Sequence, residues 1–345
     1  NLKLTNNLIN IQIFILIKLK KILKFMNSKP ILIVAGEPNS IFFEIFFKSL
    51  KSKNFKKPII LIGSLKILQL QMKQLNYRKN INLLKIKNLK NEKINNKSIN
   101  LINVEYNQKK AFEKLSKKSN SYIKTSFDLA AKLIKEGFSD KLINGPISKE
   151  KFLDKNYLGI TEYLTKKFKL NNSAMLIYNK KLSVCPITTH LPINSVAKSI
   201  KKKTIIDKIK LIDEFYKFKL GIKPKIAVTG LNPHCESIKK YNEDEKIIFP
   251  AIKKLKGKIN VFGPYPADTI FLKNNRKNYD VIVGMYHDQV LAPMKTIFEY
   301  DAINITLGLP FIRISPDHGP NEKMLGKNIS NPLSLIKAIS FLDKN

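Results

Sequence analysis

The chain has 345 residues, 43% of them hydrophobic, and a formal net charge of +37. This length and composition exclude a disordered or fibrous protein and are sufficient for two lobes or one large α/β unit. The only cysteines, Cys185 and Cys235, exclude a disulfide framework and a CxxC metal motif, and they fit a reducing cytoplasm.

The positive charge is almost entirely lysine. Only Arg78, Arg276 and Arg313 are arginine, whereas nucleic-acid and phosphate recognition favours the planar guanidinium group. The lysines are scattered and accompany asparagine and isoleucine, as in residues 79–100, which is a bias typical of an AT-rich genome. We therefore expect no nucleic-acid partner. The alternative from another class is a basic nucleic-acid-binding or non-catalytic protein, which would show a steeply salt-dependent affinity for DNA.

Residues 1–25 precede the first convincing strand, and Met26 stands just before it. Their short apolar run, 11–17, is well below the roughly 20 residues of a membrane helix. They contain no small-residue cleavage site of a signal peptide. We expect residues 1–25 to be an extension outside the fold, with no membrane partner and a cytoplasmic location for the protein. An amphipathic membrane anchor is the alternative.

From Met26 onward, short β-rich runs alternate with helical patterns, which is typical of a parallel or mixed sheet covered by helices. Apolar residues recur at helical spacing from 123 to 134, and Gly137 is well placed to end that helix. A second long helix is predicted at about 204–220. The polar region 79–120 is predicted to form long loops or an irregular sheet edge. The fold class is therefore α/β, with predicted strands at 31–36, 58–63, 141–146, 225–231, 279–286 and 302–308.

Three of the four histidines directly follow β-type segments: His190 after VCPITT, His234 in TGLNPH and His287 in VGMYH. In open α/β sheets, ligands bind at the carboxyl ends of strands. Three neutral imidazoles at one site would suit a divalent transition metal such as Zn²⁺ or Co²⁺. The alternative is that each is an isolated, hydrogen-bonded histidine, because their wide spacing matches no local metal motif.

The segment that follows His287 is rich in groups suited to an anionic substrate. Arg313 stands out because it lies in the apolar stretch LPFIRIS, where a buried arginine needs an anionic or acceptor partner. The alternative for Arg313 is a structural ion pair with Asp317 or Asp301. No glycine-rich dinucleotide motif, P-loop or serine-hydrolase elbow occurs in the sequence. The candidate groups are Asp288, Lys295, Asn304, Arg313, Asp317 and His318.

Several segments, taken together, resemble the successive signature segments of the 4-hydroxythreonine-4-phosphate dehydrogenase family of vitamin B6 (pyridoxal phosphate) biosynthesis. They occur in the family's order and extend from about residue 30 to the C-terminus. The last two are long and specific. The segments are AGEPNSI (35–41), LINGPISK (142–149), GITEYL (159–164), TTHLPI (188–193), GLNPHCE (230–236), GPYPADTIF (263–271), MYHDQVLAPMK (285–295) and NITLGLPFIRISPDHG (304–319).

The resemblance implies an isocitrate/isopropylmalate-dehydrogenase-like α/β/α fold. Residues 26–345 would form two intertwined lobes around a central cleft, with no linker signal to mark their boundary. The resemblance also implies a homodimer in which the partner subunit completes each active site.

The resemblance also implies a set of site residues. His190, His234 and His287 fall on the family's metal ligands. The implied catalytic candidates are Asp268, Asp288 and Lys295, with the aspartates orienting a ligand histidine or relaying a proton. The substrate-binding positions are Ile160, Thr161, Lys295, Asn304 and Arg313.

The implied reaction is the oxidation of 4-phosphooxy-L-threonine by NAD, or NADP, followed by decarboxylation to 3-amino-2-oxopropyl phosphate. A divalent metal (Zn, Co or Mg) bound to the substrate hydroxyl would acidify it and then polarise the new carbonyl group. Lys295 and Arg313 would hold the phosphate or carboxylate of this phosphorylated small-molecule substrate.

The sequence departs from the family's pattern at three places. Ile160 stands where the family has a substrate-contacting histidine, and isoleucine can neither donate nor accept a hydrogen bond. The family's further glycines are replaced by residues 39–43 in the first segment and by SIKKYNEDE after NPHCE. The alternatives are therefore a catalytically weakened member, or a relative that acts on another four-carbon acid 4-phosphate such as a threonate or erythronate phosphate.

Overall fold

A twelve-stranded mixed sheet with helices packed on both of its faces forms the centre of the molecule. The predicted α/β class and α/β/α architecture are therefore confirmed. Residues 1–25 and the candidate substrate groups Asp317 and His318 lie outside the described residues. The computed structural model describes residues 29–89, 91–92, 94–148, 152, 160–170, 172–236, 242–316 and 319–344.

The strands are short and mostly buried on both faces, so they read as continuous apolar runs. They are β1 (Ile31–Val34), β2 (Ile59–Gly63), β3 (Ile81–Leu83), β4 (Ile99–Asn103), β5 (Lys141–Asn144), β6 (Ala174–Tyr178), β7 (Ser183–Pro186), β8 (Ile226–Thr229), β9 (Val261–Tyr265), β10 (Val281–Gly284), β11 (Ile303–Leu307) and β12 (Ile312–Ser315). Their order across the sheet is β3-β4-β2-β1-β5-β12-β11-β6-β7-β10-β8-β9.

Helices cover the sheet wherever the sequence shows a 3.6-residue apolar period. They are α1 (Phe42–Ser52), α2 (Leu65–Gln74), α3 (Asn120–Lys135), α4 (Ile160–Lys167), α5 (Ile193–Ser199), α6 (Lys202–Phe215), α7 (Phe249–Leu255), α8 (Ala267–Ile270), α9 (Lys273–Arg276), α10 (His287–Phe298) and α11 (Leu333–Lys344). A membrane-crossing helix, long and apolar enough to span a bilayer, is absent from this described part of the chain.

Two parallel halves of the sheet run in opposite directions. In the first half, β3, β4, β2, β1, β5 and β12 are parallel neighbours. In the second half, β7, β10, β8 and β9 are parallel neighbours. Between them, β11 and β6 pair antiparallel with each other and with the strands on either side. For description, each half of the sheet together with its helices is called a lobe, and the antiparallel pair β11 and β6 lies between the two halves.

The register of the central strands puts a row of polar side chains on one face. Asn304 lies opposite Ser315, and Thr306 lies opposite Arg313. Because side chains alternate between the faces of a strand, the intervening residues of β11 point the other way. These intervening residues are apolar and buried in the core: Ile303, Ile305 and Leu307.

The two faces of the sheet are packed differently. One face carries a single core cluster that extends across both lobes and includes the buried residues of α1, α6 and α11. The other face carries two separate clusters. One lies under α3 and includes Ile123 and Phe127, and the other lies under α10 and includes Val290 and Met294. The gap between these two clusters leaves room for a cleft above the central strands.

The predicted elements are found, and one region holds more structure than predicted. All six predicted strands are present, and both predicted helices form. The first of these helices, α3, ends at Lys135; Glu136 follows, and then Gly137 with φ +74°. Region 79–120 does supply the edge strand β3. It also supplies β4, which is buried between β3 and β2. Its central residues, INLI, stand in a polar, lysine-rich segment of the sequence. The segment forms a strand because pairing and burial, rather than composition, decide a strand.

Candidate active site

A cavity of about 340 Å³ lies above the central strands, between the two clusters of the divided face. Each lobe supplies part of the wall, and β6 and β11 supply the floor through Met175, Ile177 and Asn304. The sequence-predicted residues that line it are Ile160, Thr161, His190, His287 and Asn304. Clefts of this size with a few convergent polar groups are the usual form of small-molecule sites.

His190 and His287 lie next to each other in this cavity. Their ring centroids are 5.8 Å apart. His287 is the first residue of α10, and its Nδ1 lies 2.6 Å from Oδ1 of Asp288. A carboxylate in this place orients an imidazole and leaves Nε2 as the nitrogen available to coordinate a metal. This is the contact expected if Asp288 orients a ligand histidine.

His234 lies outside the cavity wall. It is exposed in the short 3₁₀ turn Pro233–Cys235, where its own φ is +55° and that of Cys235 is +63°. Among the described residues, no group of three or more His, Cys, Asp or Glu side chains is arranged to hold a metal ion. One chain therefore brings together two of the three predicted ligands, and the third stays a prediction that needs a second copy of the chain.

Arg313 is completely buried behind the cavity wall. Its Nε donates to Oδ1 of Asn144 at 2.7 Å, and its Nη1 donates to Oγ1 of Thr306 at 2.7 Å. Its Nη2 has no hydrogen-bond partner among the described residues. The alternative ion pair with Asp301 is not formed, because Asp301 pairs with Lys337 at 2.9 Å. Arg313 is thus a buried cation with one donor that no described residue accepts.

Burial also weakens the protonated form of this guanidinium. Desolvation lowers the pKa of Arg313 to about 9, and the carboxylate of Glu162 acts in the opposite direction. A charged group without a paired counter-charge is costly to bury. An anion that entered the cavity would therefore gain from a nearby positive charge that no carboxylate of the described residues contacts directly.

Thr161 and Asn304 provide polar groups at the wall and floor of the cavity. Thr161 Oγ1 lies 3.4 Å from Oγ1 of Thr306 and 3.5 Å from Nη1 of Arg313. Oδ1 of Asn304 is buried and has no partner within the described part of the chain. Unsatisfied buried acceptors are rare and call for a ligand or an ordered water molecule.

Ile160 is the first residue of α4 and forms part of the cavity wall. On its other side it packs against the cluster beneath α3. The isoleucine at this position therefore presents an apolar surface to the cavity.

Lys295 and Asp268 are absent from the residues that line this cavity. Lys295 is two turns beyond His287 on α10, and burial lowers its pKa. Asp268 is exposed on α8, and its charge acts on Cys235 beside His234. The two aspartates predicted to be catalytic thus accompany different histidines, Asp288 with His287 and Asp268 with the turn of His234.

Sequence reasoning missed several polar groups behind the cavity. Glu162 Oε1 accepts from Oγ1 of Thr189 at 3.5 Å, directly before His190. Lys208 Nζ donates to the carbonyl of Ile187 at 2.8 Å. Glu162 lies inside the segment GITEYL, so its position next to Thr161 was a usable signal. The sequence held no comparable signal for Lys208, because it is one of many lysines in the chain.

Two strand-end turns pack backbone to backbone and hold one wall of the cavity. A Cβ atom on Gly145 would lie 2.1 Å from the carbonyl oxygen of Ala35, and one on Gly36 would lie 2.4 Å from that of Pro146. Gly36 also has φ +76°. Both positions therefore require glycine, and the Asn144–Pro146 side of the cavity is fixed by its contact with the turn after β1.

Comparison with known proteins identifies relatives over most of the chain. The family profile of the pyridoxal phosphate biosynthetic protein PdxA matches residues 54–342. A 4-hydroxythreonine-4-phosphate dehydrogenase from Sulfurihydrogenibium sp. (strain YO3AOP1) is 40% identical over 314 residues, which cover 89% of this chain and 95% of that protein. A D-threonate 4-phosphate dehydrogenase from Salmonella typhimurium is 33% identical over 302 residues, covering 85% of this chain and 92% of that protein.

The fold agrees with these matches. The crystal structure of 4-hydroxythreonine-4-phosphate dehydrogenase from Klebsiella pneumoniae superposes with a TM-score of 0.79 at 29% identity, covering 91% of this chain and 98% of that chain. The sequence and the fold therefore point to the same group of dehydrogenases.

Proposed function

The chain belongs to the family of the pyridoxal phosphate biosynthetic protein PdxA and is a dehydrogenase, and from this premise we propose that it oxidises 4-phosphooxy-L-threonine. NAD or NADP accepts the hydride, and the oxidised product loses CO₂ to give 3-amino-2-oxopropyl phosphate. The observation that carries the proposal is the cavity itself, where two adjacent imidazoles face a wall backed by the buried cation Arg313.

Arg313, Thr161 and Lys295 are proposed to bind the anionic groups of the substrate. Arg313 supplies charge from behind the wall, and its Nη1 lies 3.5 Å from Oγ1 of Thr161, a residue that lines the cavity. Hydrogen bonds that involve a charged partner are about twice as strong as neutral ones. The unpartnered Oδ1 of Asn304 is an acceptor for a hydroxyl or ammonium group of the substrate. These contacts would hold the reacting carbon in one orientation.

The donor set of the cavity fits a divalent metal. Two imidazoles lie with their ring centroids 5.8 Å apart, and a carboxylate orients one of them. His190 and His287 would hold the ion, with His234 of a second copy as the third ligand. A bound divalent cation would supply Lewis acidity at the substrate hydroxyl group and at the carbonyl group that replaces it.

The lining of the cavity also fits a nicotinamide ring. Met175, Ile177 and Leu291 give it an apolar surface beside the histidines, and apolar lining with few polar groups is the usual environment of a planar cofactor ring. NAD or NADP would supply the hydride acceptor. These side chains would exclude water from the reacting carbon.

A homodimer is proposed because one chain leaves the site incomplete. His234 is exposed and absent from the cavity that holds the other two histidines. In a twofold-symmetric dimer, the same surface residue of each copy can enter the site of the other. The turn of His234 is therefore proposed to lie at the subunit interface.

D-Threonate 4-phosphate is the second candidate substrate. Ile160 lines the cavity, and its apolar side chain cannot hydrogen-bond a polar group of the substrate. D-Threonate 4-phosphate lacks an amino group, and a dehydrogenase of that compound is 33% identical to this chain.

The proposal is tested by measuring NADH or NADPH formation with each substrate in the presence of Zn²⁺, Co²⁺ or Mg²⁺. We expect metal-dependent turnover with 4-phosphooxy-L-threonine. Arg313→Met should raise the KM for this substrate strongly. Arg276→Met is the matched control, because Arg276 donates to the carbonyl of Phe271 away from the cavity. Preference for D-threonate 4-phosphate would select the second candidate, and a folded, metal-treated protein that oxidises neither would overturn both.

A further inference from the structure

Two side chains from elsewhere in the chain, Asp244 and Gln289, hydrogen-bond the loop that carries His234. The loop leaves β8 at Gly230 and reaches His234 four residues later. The backbone at His234 and at Cys235 is left-handed, which is strained for residues with a side chain. Such a conformation persists only where surrounding contacts enforce it.

Asp244 hydrogen-bonds the first residues of the loop. Its carboxylate is 1% exposed. Oδ1 accepts from the backbone N–H of Leu231 at 2.7 Å, and Oδ2 accepts from the backbone N–H of Asn232 at 3.1 Å and from its Nδ2 at 2.8 Å. A buried carboxylate that accepts three hydrogen bonds holds the donating backbone firmly in place. Residue 232 is held two positions before His234.

Gln289 ties the same loop to the helix of His287. Its Nε2 donates to the carbonyl of Gly230 at 2.8 Å. Its Oε1 accepts from Oγ1 of Thr229 at 2.9 Å and from the backbone N–H of Met285 at 2.6 Å. One side chain thus fixes the end of β8 and the end of β10 against each other.

Glycines at the two strand ends make room for these contacts. A Cβ atom on Gly230 would lie 2.6 Å from Oδ1 of Asp244, and one on Gly284 would lie 3.0 Å from Oε1 of Gln289 and 2.3 Å from Cγ1 of Val290. Glycine at positions 230 and 284 therefore leaves the space that these two side chains occupy.

We propose that Asp244 and Gln289 are positioning residues. Their hydrogen bonds to residues 230–232 set the direction in which the side chain of His234 points. Gln289 in addition sets that loop relative to the start of α10, so the placement of His234 and His287 in each chain is coupled. This inference rests on the proposed role of His234 as a metal ligand.

The test is a Co²⁺ titration of metal-free protein, followed by the visible absorbance of the bound ion, with the Tm of the metal-free protein as a second measurement. Asp244→Asn and Gln289→Met should each weaken Co²⁺ binding by about 10- to 100-fold, as for other residues that orient metal ligands. The absorption band of the bound Co²⁺ should also change, because the geometry of the ligands changes.

Two matched controls separate positioning from general stability. Asp343 accepts from the successive backbone N–H groups of Lys56 and Lys57. Asn96 makes three backbone hydrogen bonds, to Ile59, Phe55 and Lys57. Asp343→Asn and Asn96→Leu should lower the Tm as the test variants do, yet leave Co²⁺ affinity within about twofold.

A double-mutant comparison decides whether Asp244 acts through His234. His234→Ala should weaken Co²⁺ binding, and adding Asp244→Asn to it should weaken binding no further, because the two changes remove the same ligand. Full additivity, or wild-type Co²⁺ affinity in both Asp244→Asn and Gln289→Met, overturns the inference while leaving the proposed function intact. A wild-type protein that binds no Co²⁺, or an unaffected His234→Ala variant, overturns the proposed metal role and the inference with it.

Discussion

Two buried residues at this site have polar atoms without a hydrogen-bond partner among the described residues. Arg313 is buried without a carboxylate partner among the described residues, and Asn304 has a buried oxygen that accepts nothing from them. Both groups carry an electrostatic cost that a bound ligand would relieve. Ile160 differs from both, because it presents an apolar side chain to the same cavity.

The pKa of Arg313 predicts a loss of substrate affinity in alkaline solution. Burial lowers this pKa to about 9. Below pH 9 the guanidinium is already charged, whereas above it an anion must bind together with a proton. The Kd of an anionic substrate should therefore rise by up to about tenfold per pH unit above 9. Equilibrium binding between pH 7.5 and 10 measures this rise.

Arg313→Met provides the control for that measurement. The variant should bind the anion more weakly at every pH and should show no break near pH 9. If the break persists in Arg313→Met and disappears in Lys295→Met, the titrating group is Lys295, whose pKa burial also lowers.

Ile160→His should improve the enzyme with 4-phosphooxy-L-threonine. A hydrogen bond to a charged group is worth roughly 1.5–3 kcal/mol, so kcat/KM should rise by about tenfold to hundredfold if the imidazole restores that contact. The gain should be smaller with D-threonate 4-phosphate. Steady-state kinetics of both substrates give the comparison.

Ile160→Leu is the matched apolar control and should change neither value of kcat/KM. An unchanged kcat/KM in a folded, metal-loaded Ile160→His variant would contradict the prediction. The contact would then come from a neighbouring residue, or the substrate would be a different one.

At the scale of elements, the site depends on how the ends of strands meet. The turns after β1 and β5 touch through their backbones, and the ends of β8 and β10 are joined by Gln289. In both places a glycine lets two segments approach closely. The elements therefore position the functional side chains through short, rigid turns rather than through long loops.

Gly145→Ala should damage the cavity and the fold together. The added methyl group meets the carbonyl of Ala35 at 2.1 Å and Cδ2 of Phe42 at 2.7 Å. Overpacking of this kind costs about 1–3 kcal/mol of the free energy of unfolding. Displacement of Asn144 should also raise the KM. Denaturant unfolding and steady-state kinetics measure the two effects.

Gly137→Ala is the comparison for this prediction. Gly137 has φ +74° and open space around it, so its replacement tests backbone strain without a clash. It should cost about 1–2 kcal/mol and leave the KM unchanged. An equal change in KM for both variants would show that the turn after β5 does not position the site.

At the scale of the whole molecule, both halves of the sheet contribute to the cavity, and we propose that a second copy of the chain completes the site. The lobes face each other across the antiparallel strands β6 and β11, and each contributes to the cavity wall. Within one chain, His234 stays outside that wall. In the proposed dimer, His234 of a second copy would complete the site.

Subunit mixing tests this assembly. His190→Ala and His234→Ala should each be inactive alone, because each removes a ligand from every site of its dimer. After unfolding and refolding as a mixture, heterodimers should contain one intact site, and activity should return. A mixture of His190→Ala with His287→Ala is the control, since these residues share one chain's cavity and their defects leave no intact site in a heterodimer. Activity in neither mixture, with heterodimers demonstrated, would count against a shared site.

Much of the fold and part of the site could be predicted from the sequence. Apolar runs of strand length ending in glycine or a polar residue located β1, β2, β5, β8, β10 and β11, because buried parallel strands need continuous apolar residues. The order of the motifs likewise predicted His190, His287, Thr161, Asn304 and Arg313 as candidate site residues. Local patterns sufficed where a segment's own composition decides its structure.

Only the tertiary structure decided which groups meet. The buried strand β4 depends on its neighbours and not on its composition. The sequence left open an ion pair of Arg313 with Asp317 or Asp301. Of these, Asp301 pairs with Lys337, and Arg313 donates to two neutral acceptors. Asp244 and Gln289 are ordinary in the sequence and become important only through contacts with residues 230–232. Hydrogen bonding and burial between distant segments are properties of the packed chain, so no local pattern encodes them.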